Sequence, residues 1–240
     1  MALDADISPR HLSCIETGKS QPSRNMIERL ADVLAIPLRE RNTLLIAAGY
    51  APIFPETSLD ERELAYIQKA IDLILNNQEP YPAFVLNRHW DILRANRAAG
   101  RMAEFLIGGS SHSNMLRQFF DPSDLRRVVA NWEEVASDLL HHLQTSVANV
   151  PTDGAARSLL NEIMQYPALP ARWQLREVGQ ASPLLTVAFV KDGRTLSFFS
   201  TLSAFVTARY IAVDELRIEC SFPADKQTTE LCRSLADSMP

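Results

Sequence analysis

The chain has 240 residues, with 24 Lys and Arg side chains against 29 Asp and Glu and a formal net charge of −5. Its 46% apolar and 22% charged residues are ordinary globular values, so the composition excludes a disordered or collagen-like chain. No apolar run approaches the roughly 18 residues of a membrane-spanning helix, and the N-terminus lacks a signal-peptide layout. The acidic balance argues against non-specific coating of nucleic acid, but it allows a small basic element on an acidic body.

The three cysteines, Cys14, Cys220 and Cys232, are too few and too scattered for a disulfide framework or a zinc site. This cysteine usage suits a reducing compartment, so we expect a cytoplasmic protein without a metal.

The first fifty residues predict three helices. Ser8 and Pro9 predict the start of the first, because a hydroxyl caps free amides and proline needs no partner at the first helical position. Gly18 ends it, Ser23 caps the second helix, and Pro37 ends the second before a third begins. The expected apolar positions are Leu12, Ile15, Met26, Ile27, Leu30, Ala31, Leu34, Leu38, Leu44, Leu45 and Ala48.

A proline-rich segment over residues 51–57 predicts a boundary. Residues 58–61 form a capping box that opens a helix to about Leu75. The apolar positions of that helix, Leu64, Ile67, Ile71 and Ile74, follow 3-4-3 spacing. This stripe fits either packing within its own domain or a dimer seam.

The rest of the chain mixes strand and helix signals. Two short extended runs meet near Asn87 and Arg88, and Asp192-Gly193 predicts a two-residue hairpin turn. Strands at both ends with helices inserted between them predict an α+β layer structure. Predicted strands cover 82–90, 91–95, 173–178, 184–190, 195–201 and 216–222, and predicted helices cover 96–106, 123–148 and 154–166.

Residues 7–18 have the sequence ISPRHLSCIETG, followed by Lys19-Ser20-Gln21. Together with Leu30-Ala31 and Ile36-Pro37, this segment resembles the recognition helix and following loop of XRE-class, lambda-repressor-like helix-turn-helix regulators. The resemblance implies an all-α DNA-binding domain that acts as a dimer on operator DNA.

The resemblance also implies which residues contact DNA. Arg10 is the best candidate for reading a base, because a guanidinium can engage guanine O6 and N7 together. Lys19, Ser20 and Arg24 lie where such regulators touch phosphates, although Lys19 and Arg24 are also explained as ordinary solvated charges. The full expected set is Ser8, Pro9, Arg10, His11, Cys14, Lys19, Ser20 and Arg24. Leu12 and Ile15 are expected to be core.

A complete domain of the resembled type has five helices, whereas residues 1–7 supply only the last turn of the helix before the recognition helix. Apolar side chains such as Leu12 and Ile15 would lose roughly 1.5–3 kcal/mol each if left uncovered. We therefore expect an N-terminally incomplete helix-turn-helix, explained either by a start set within the natural chain or by damaged DNA binding. We favour the first explanation.

Residues 81–99 have the sequence YPAFVLNRHWDILRANRAA. This block, with residues 114–120, Asn131-Trp132 and the strand containing Trp173, resembles the PAS-like ligand-binding domain of MmyB-like transcription regulators. The resemblance implies an α+β domain with an antiparallel sheet, an apolar hollow and a fatty-acid-like ligand. The candidate lining residues, each also explained as plain core, are Phe84, Leu86, Trp90, Phe119, Trp132, Phe189 and Phe198.

Catalytic interpretations are weak. His141 and His142 are adjacent, so a helix points them about 100° apart and gives no two-ligand face. The loop at Gly108 and Gly109 lacks the lysine of a phosphate-binding loop. We expect no catalytic residue, no metal and no cofactor beyond a bound fatty acid or similar apolar ligand.

The sequence therefore predicts two domains: a partial helix-turn-helix over 1–56, a connecting helix over 57–78 and a PAS-like ligand-binding domain over 79–240. The predicted function is a sequence-specific transcription regulator whose operator affinity responds to a small hydrophobic ligand. Its expected partners are double-stranded operator DNA, that effector and a second copy of the chain, with no membrane. The alternative is a ligand-binding or dimerisation protein with a vestigial DNA-binding module.

Overall fold

The computed structural model describes residues 7–55, 61–170, 184–205 and 208–238. The chain divides into two compact units. We call the first the helical unit (Met1–Glu61 with Phe205–Glu215) and the second the sheet unit (Arg62–Ala204 with Leu216–Pro240). The helices are α1 (Pro9–Glu16), α2 (Arg24–Val33), α3 (Leu38–Ala47), α4 (Glu61–Gln78), α5 (Arg97–Ile107), α6 (Met115–Phe120), α7 (Trp132–Asn149), α8 (Gly154–Ile163), α9 (Ile211–Asp214) and α10 (Lys226–Ser238). The strands are β1 (Ala83–Leu86), β2 (Ile92–Ala95), β3 (Thr186–Lys191), β4 (Arg194–Ser203) and β5 (Arg217–Pro223).

The helix starts predicted in the helical unit are confirmed. The Ser8 hydroxyl accepts a hydrogen bond from the backbone N–H of His11 at 3.2 Å. The Ser23 hydroxyl caps α2 by accepting from the N–H of Met26 at 3.4 Å. Gly18 has a φ of +69°, and this left-handed residue ends the turn that follows α1.

The core of the helical unit contains most of the predicted apolar positions. Ile7 and Met26 are buried, and the half-buried Leu12, Ile15 and Leu30 pack around them. Leu34 and Leu44, two of the predicted apolar positions, are 49% and 41% exposed. Leu34 caps the C-terminus of α2, and Leu44 points away from the face that its neighbour Leu45 buries, because adjacent helix positions differ by about 100°.

The predicted α+β architecture is confirmed in the sheet unit. Among the described residues, five antiparallel strands form one sheet in the order β2-β1-β5-β4-β3. The hairpin predicted at Asp192-Gly193 joins β3 to β4, with φ values of +49° and +72° that fit a tight turn. The bend between β1 and β2 is held by Asn87, whose side-chain oxygen accepts from the N–H groups of His89 and Asp91, both at 2.9 Å.

Some predicted elements differ from the observed ones. The helix expected over 123–148 is interrupted, because Val129 pairs with Phe189 and the N–H of Ala130 donates to Ala188 of β3 at 2.7 Å. A short 3-10 helix (Leu125–Val128) precedes this break and α7 follows it. The helices α6 and α10 were not anticipated. The N-terminal residues of the expected capping box and the strand expected over 173–178 lie outside the described residues.

Helices pack on the sheet through small residues. Asn96 caps α5, and its side-chain oxygen accepts from the N–H groups of Ala99 in α5 and Ala83 in β1, both at 3.0 Å. Ala98 and Ala99 are buried, so α5 lies close to the sheet. On α4, Ile71 is buried whereas Leu64 is 43% exposed, so the apolar stripe of that helix is covered at its C-terminal end.

Candidate functional site

A cavity of about 730 Å³, including its open mouth, lies within the sheet unit. Its wall combines one face of the sheet with α5, α6 and the 3-10 helix. The lining residues are Pro82, Phe84, Ala99, Met102, Ala103, Leu106, Met115, Gln118, Phe119, Leu125, Val187, Phe189, Phe198, Ser200, Glu219 and Ser221. This lining is mostly apolar with a few polar groups, which is the usual composition of a small-molecule site.

Four of the seven residues predicted to line a ligand site are brought together here: Phe84, Phe119, Phe189 and Phe198. The ring of Phe189 lies 6.4 Å from that of Phe119 and 6.2 Å from that of Phe198, between ring centroids. These distances are typical of aromatic clusters. Phe119, Phe189 and Phe198 therefore form one aromatic cluster in the wall of the cavity, and Phe84 lines the same cavity from β1.

The other three residues, Leu86, Trp90 and Trp132, do not line this cavity. Leu86 is fully buried in β1. Trp90 packs against a second core cluster that includes Leu116 and Leu140. The indole N–H of Trp132 donates to the carbonyl of Phe119 at 2.8 Å, and the guanidinium of Arg126 lies 3.7 Å from the ring centroid. Both neighbours of Trp132 hold it in the core.

One side of the cavity is polar. Glu219 lies on β5, the central strand, opposite Phe84 of β1 and Leu202 of β4. Desolvation raises the pKa of the Glu219 carboxyl above its ordinary value, and a hydrogen bond with Ser200 opposes that shift. The hydroxyl oxygens of Ser200 and Ser221 are 3.3 Å apart. Glu219 was not anticipated from the sequence, although the alternation of β5 places Arg217, Glu219 and Ser221 on one face.

The predicted DNA-contact residues of α1 are largely open to solvent. Ser8, Pro9, Arg10 and His11 are exposed at the first turn of the helix, whereas Cys14 is half-buried one turn later. Leu12 and Ile15 face the core on the opposite side, as expected. The first turn of α1 therefore presents a guanidinium and an imidazole on a capped, exposed surface.

The predicted phosphate contacts lie after α1 and at the start of α2. Lys19 and Arg24 are exposed, and Ser20 is half-buried. The Nε of Arg24 lies 3.4 Å from a carboxylate oxygen of Glu28, and both side chains remain about half exposed. Exposed pairs of this kind contribute little, so a phosphate can compete with Glu28 for Arg24.

In the part of the chain that the structure describes, no group of three or more His, Cys, Asp or Glu side chains is placed to hold a metal ion. His141 and His142 lie next to each other on α7, with ring centroids 6.4 Å apart. Of the described helices, none is both long and apolar enough to cross a membrane.

Residues 67–235 match the model of the MmyB-like transcription regulator ligand binding domain. This match covers more than half of the chain and contains the whole cavity. The chain belongs to the family of MmyB-like regulator ligand-binding domains. No curated protein matches it. The match begins after the helical unit's first three helices, so the similarity to XRE-class regulators stays a prediction.

One segment of the MmyB-like region lies in the helical unit. Phe205–Glu215 connects β4 to β5, and its helix α9 packs with α3. The Asp214 carboxylate accepts from the N–H of Leu38, the first residue of α3, at 3.0 Å. The Nε of Arg39 donates to Glu215 at 2.5 Å, and a second guanidinium nitrogen donates at 3.3 Å. The segment that connects the strands of Ser200 and Glu219 therefore packs, within the helical unit, against the start of α3.

Proposed function

We propose that this chain is a sequence-specific DNA-binding transcription regulator of the XRE class, acting in the cytoplasm. In this proposal a small hydrophobic effector with a fatty-acid-like body binds the sheet-unit cavity and changes operator affinity. The observation that carries the proposal is the path of the chain: β4 and β5 line the cavity, and the segment between them holds α3.

DNA binding is supported by the first turn of α1. A short capped helix can enter the major groove and present its N-terminal residues to base edges. Arg10 and His11 are exposed there, while Leu12 and Ile15 anchor the opposite face in the core. Between Ser8 and Arg24 the sequence has three basic residues and one acidic residue, so the local charge opposes the overall charge of −5.

Effector binding is supported by the membership of the family and by the lining. Phe84, Phe119, Phe189 and Phe198 offer apolar surface to a hydrocarbon body, and Met102 adds a flexible side chain that adapts to irregular ligands. In this proposal the protein has two conformations that differ in operator affinity. The effector binds one of them more tightly than the other and thereby changes operator affinity.

Coupling is supported by the contacts of α9. A displacement of β4 or β5 around a bound ligand moves the ends of the segment that carries Asp214 and Glu215. These two carboxylates contact Leu38 and Arg39 at the start of α3, so a displacement of the segment is passed to α3 through hydrogen bonds of 3.0 and 2.5 Å.

We further propose a homodimer, because regulators of this class read paired half-sites. The N-terminal end of the apolar stripe of α4 offers a seam, because Leu64 is 43% exposed and Ile67, one turn further on, is only partly buried. Dimer formation on DNA would bury these two side chains.

The proposed DNA binding is tested by selecting duplexes from a random pool with the full chain and measuring affinity for the enriched sequence at several salt concentrations. The proposal predicts enrichment of a two-fold symmetric sequence and an affinity that falls with salt. If the chain enriches no sequence while it still binds an apolar ligand, the protein is instead a ligand-binding or dimerisation protein with a vestigial DNA-binding module.

A further inference from the structure

The cavity lining carries an acidic side chain but no basic one among the described residues. Among the described residues that line it, Glu219 is the only charged side chain, and no Lys, Arg or His is present. The remaining polar lining groups are Gln118, Ser200 and Ser221. Gln118 uses its side-chain N–H to donate to the carbonyl of His112 at 2.7 Å, so its amide is held in place. The cavity thus offers an acid and hydroxyls, with no cation to receive a ligand carboxylate.

The position of Glu219 is fixed by the sheet. β5 pairs with strands on both sides, and Glu219 stands opposite Phe84 on one neighbour and Leu202 on the other. Because β5 is paired on both sides, its backbone register is fixed, and Glu219 therefore stays on the face of the sheet that lines the cavity.

We propose that Glu219 selects the head group of the effector and favours an apolar ligand with a cationic amine over one with a carboxylate. An ammonium beside Glu219 forms a charge-assisted hydrogen bond and stabilises the ionised carboxylate. A hydroxyl head forms a neutral hydrogen bond of intermediate strength. A ligand carboxylate places a second acid next to Glu219, so one of the two groups must hold a proton, and no cation in the described lining stabilises the other.

The raised pKa of Glu219 is consistent with this selection, because a desolvated carboxyl gains more from an incoming cation than a solvated one does. Ser200 and Ser221 lie within reach of each other and can accept or donate toward the same head group. The inference rests on the proposed effector site and adds the chemistry of the ligand's polar end.

The experiment uses the full chain and three ligands that share one alkyl body: n-decylamine, n-decanol and decanoate, each below its micelle concentration. Binding is measured by isothermal titration calorimetry for the wild type, for Glu219→Gln and for Glu104→Gln. Glu104 is exposed on α5 next to the lining residue Ala103, so it is a matched carboxylate outside the cavity. Glutamine at position 219 keeps a hydrogen-bond acceptor but loses the ionisable group.

We expect wild-type affinity to fall in the order amine, alcohol, carboxylate. Glu219→Gln should weaken n-decylamine by about tenfold or more, the size of a lost charged hydrogen bond, and leave n-decanol nearly unchanged. Unchanged n-decanol binding also shows that the variant has folded with its cavity intact. Glu104→Gln should bind all three ligands as the wild type does.

Decanoate binding as tight as n-decylamine binding would overturn the head-group preference alone. The same holds if Glu219→Gln affects the amine no more than Glu104→Gln does. If none of the three ligands binds, the proposed effector site fails together with the preference. These results separate an error about Glu219 from an error about the cavity.

Discussion

Arg10 stands on the exposed first turn of α1, where a guanidinium can reach a guanine edge in the major groove. Arg10→Ala should cost about 1–3 kcal/mol of operator binding and relax specificity at one base position. The check is the affinity of the wild type and the variant for the selected operator and for its single-base substitutions. A loss of equal size across all sequences would make Arg10 a phosphate contact instead.

Residue roles that depend on neighbours in the sequence could be predicted. Roles that depend on how a strand or helix is placed in the fold could not. Ser8 and Asn96 act as caps because the side-chain oxygen meets amides three residues on, which the sequence alone specifies. Glu219 was missed because alternation along β5 shows which residues share a face but not which face meets the cavity. The position of Trp132 outside the cavity lining could not be predicted, because its contacts with the Phe119 carbonyl and the Arg126 guanidinium depend on tertiary packing.

At the scale of elements, α3 depends on a cap supplied from a distant part of the chain. Pro37 precedes α3 and makes no side-chain hydrogen bond to it, whereas Asp214 accepts from the N–H of Leu38 at 3.0 Å. A carboxylate at a helix N-terminus also interacts favourably with the helix dipole. The helical unit therefore draws part of its stability from the β4–β5 connection.

Asp214→Ala should destabilise α3 by about 1 kcal/mol, the usual size of a lost N-cap, and weaken the effect of the effector on operator affinity. Hydrogen exchange of the α3 amides measures the first effect, and operator titrations with and without effector measure the second. Asp214→Asn keeps an acceptor oxygen and serves as the matched control. Unchanged hydrogen exchange of the α3 amides in Asp214→Ala would contradict a stabilising role of Asp214 as the cap of α3.

Most helices and strands could be predicted from the spacing of apolar residues and from turn residues, including α1, α2 and the Asp192-Gly193 hairpin. The break between the 3-10 helix and α7 did not, because it comes from Val129 and Ala130 joining the edge of β3, a long-range contact that competes with helix continuation. The placement of α9 with α3 depends on tertiary packing in the same way. The resemblance to MmyB-like domains supplied the α+β fold that local signals left incomplete.

For the whole molecule, two carboxylates tie the stability of the sheet unit to pH. A hydrogen bond with His112, followed by hydrogen bonds from Ser123, lowers the pKa of Asp121 from 3.8 to about 2. Burial alone would raise the pKa of Asp153, but hydrogen bonds from Arg88, the Ala156 backbone and His89 hold it below its ordinary value. Both groups therefore favour the folded state when they are ionised.

Because the folded-state pKa values are depressed, this stabilisation is complete above the unfolded-state pKa near 3.8 and is lost as pH falls toward 2. Urea denaturation between pH 6 and pH 2 should show the free energy of unfolding of the sheet unit declining below about pH 4. Asp121→Asn should lower stability at neutral pH and flatten that decline. Asp237→Asn, an exposed change on α10, should leave the profile as it is; a wild-type profile without a decline would contradict the assignment.

The central claim is that occupancy of the cavity controls DNA binding. Ala103 lines the cavity from α5, so Ala103→Phe fills ligand space, whereas Ala148→Phe adds the same ring to the exposed surface of α7. Filling the cavity should abolish effector binding without removing any of the DNA-contact residues of the helical unit.

The most direct measurement is operator affinity of the full chain with and without the tightest-binding ligand of the n-decyl series, for the wild type and both variants. We expect a change of at least about fivefold for the wild type and Ala148→Phe, and no change for Ala103→Phe. An operator affinity that stays the same in the wild type at saturating ligand would contradict control of DNA binding by the cavity.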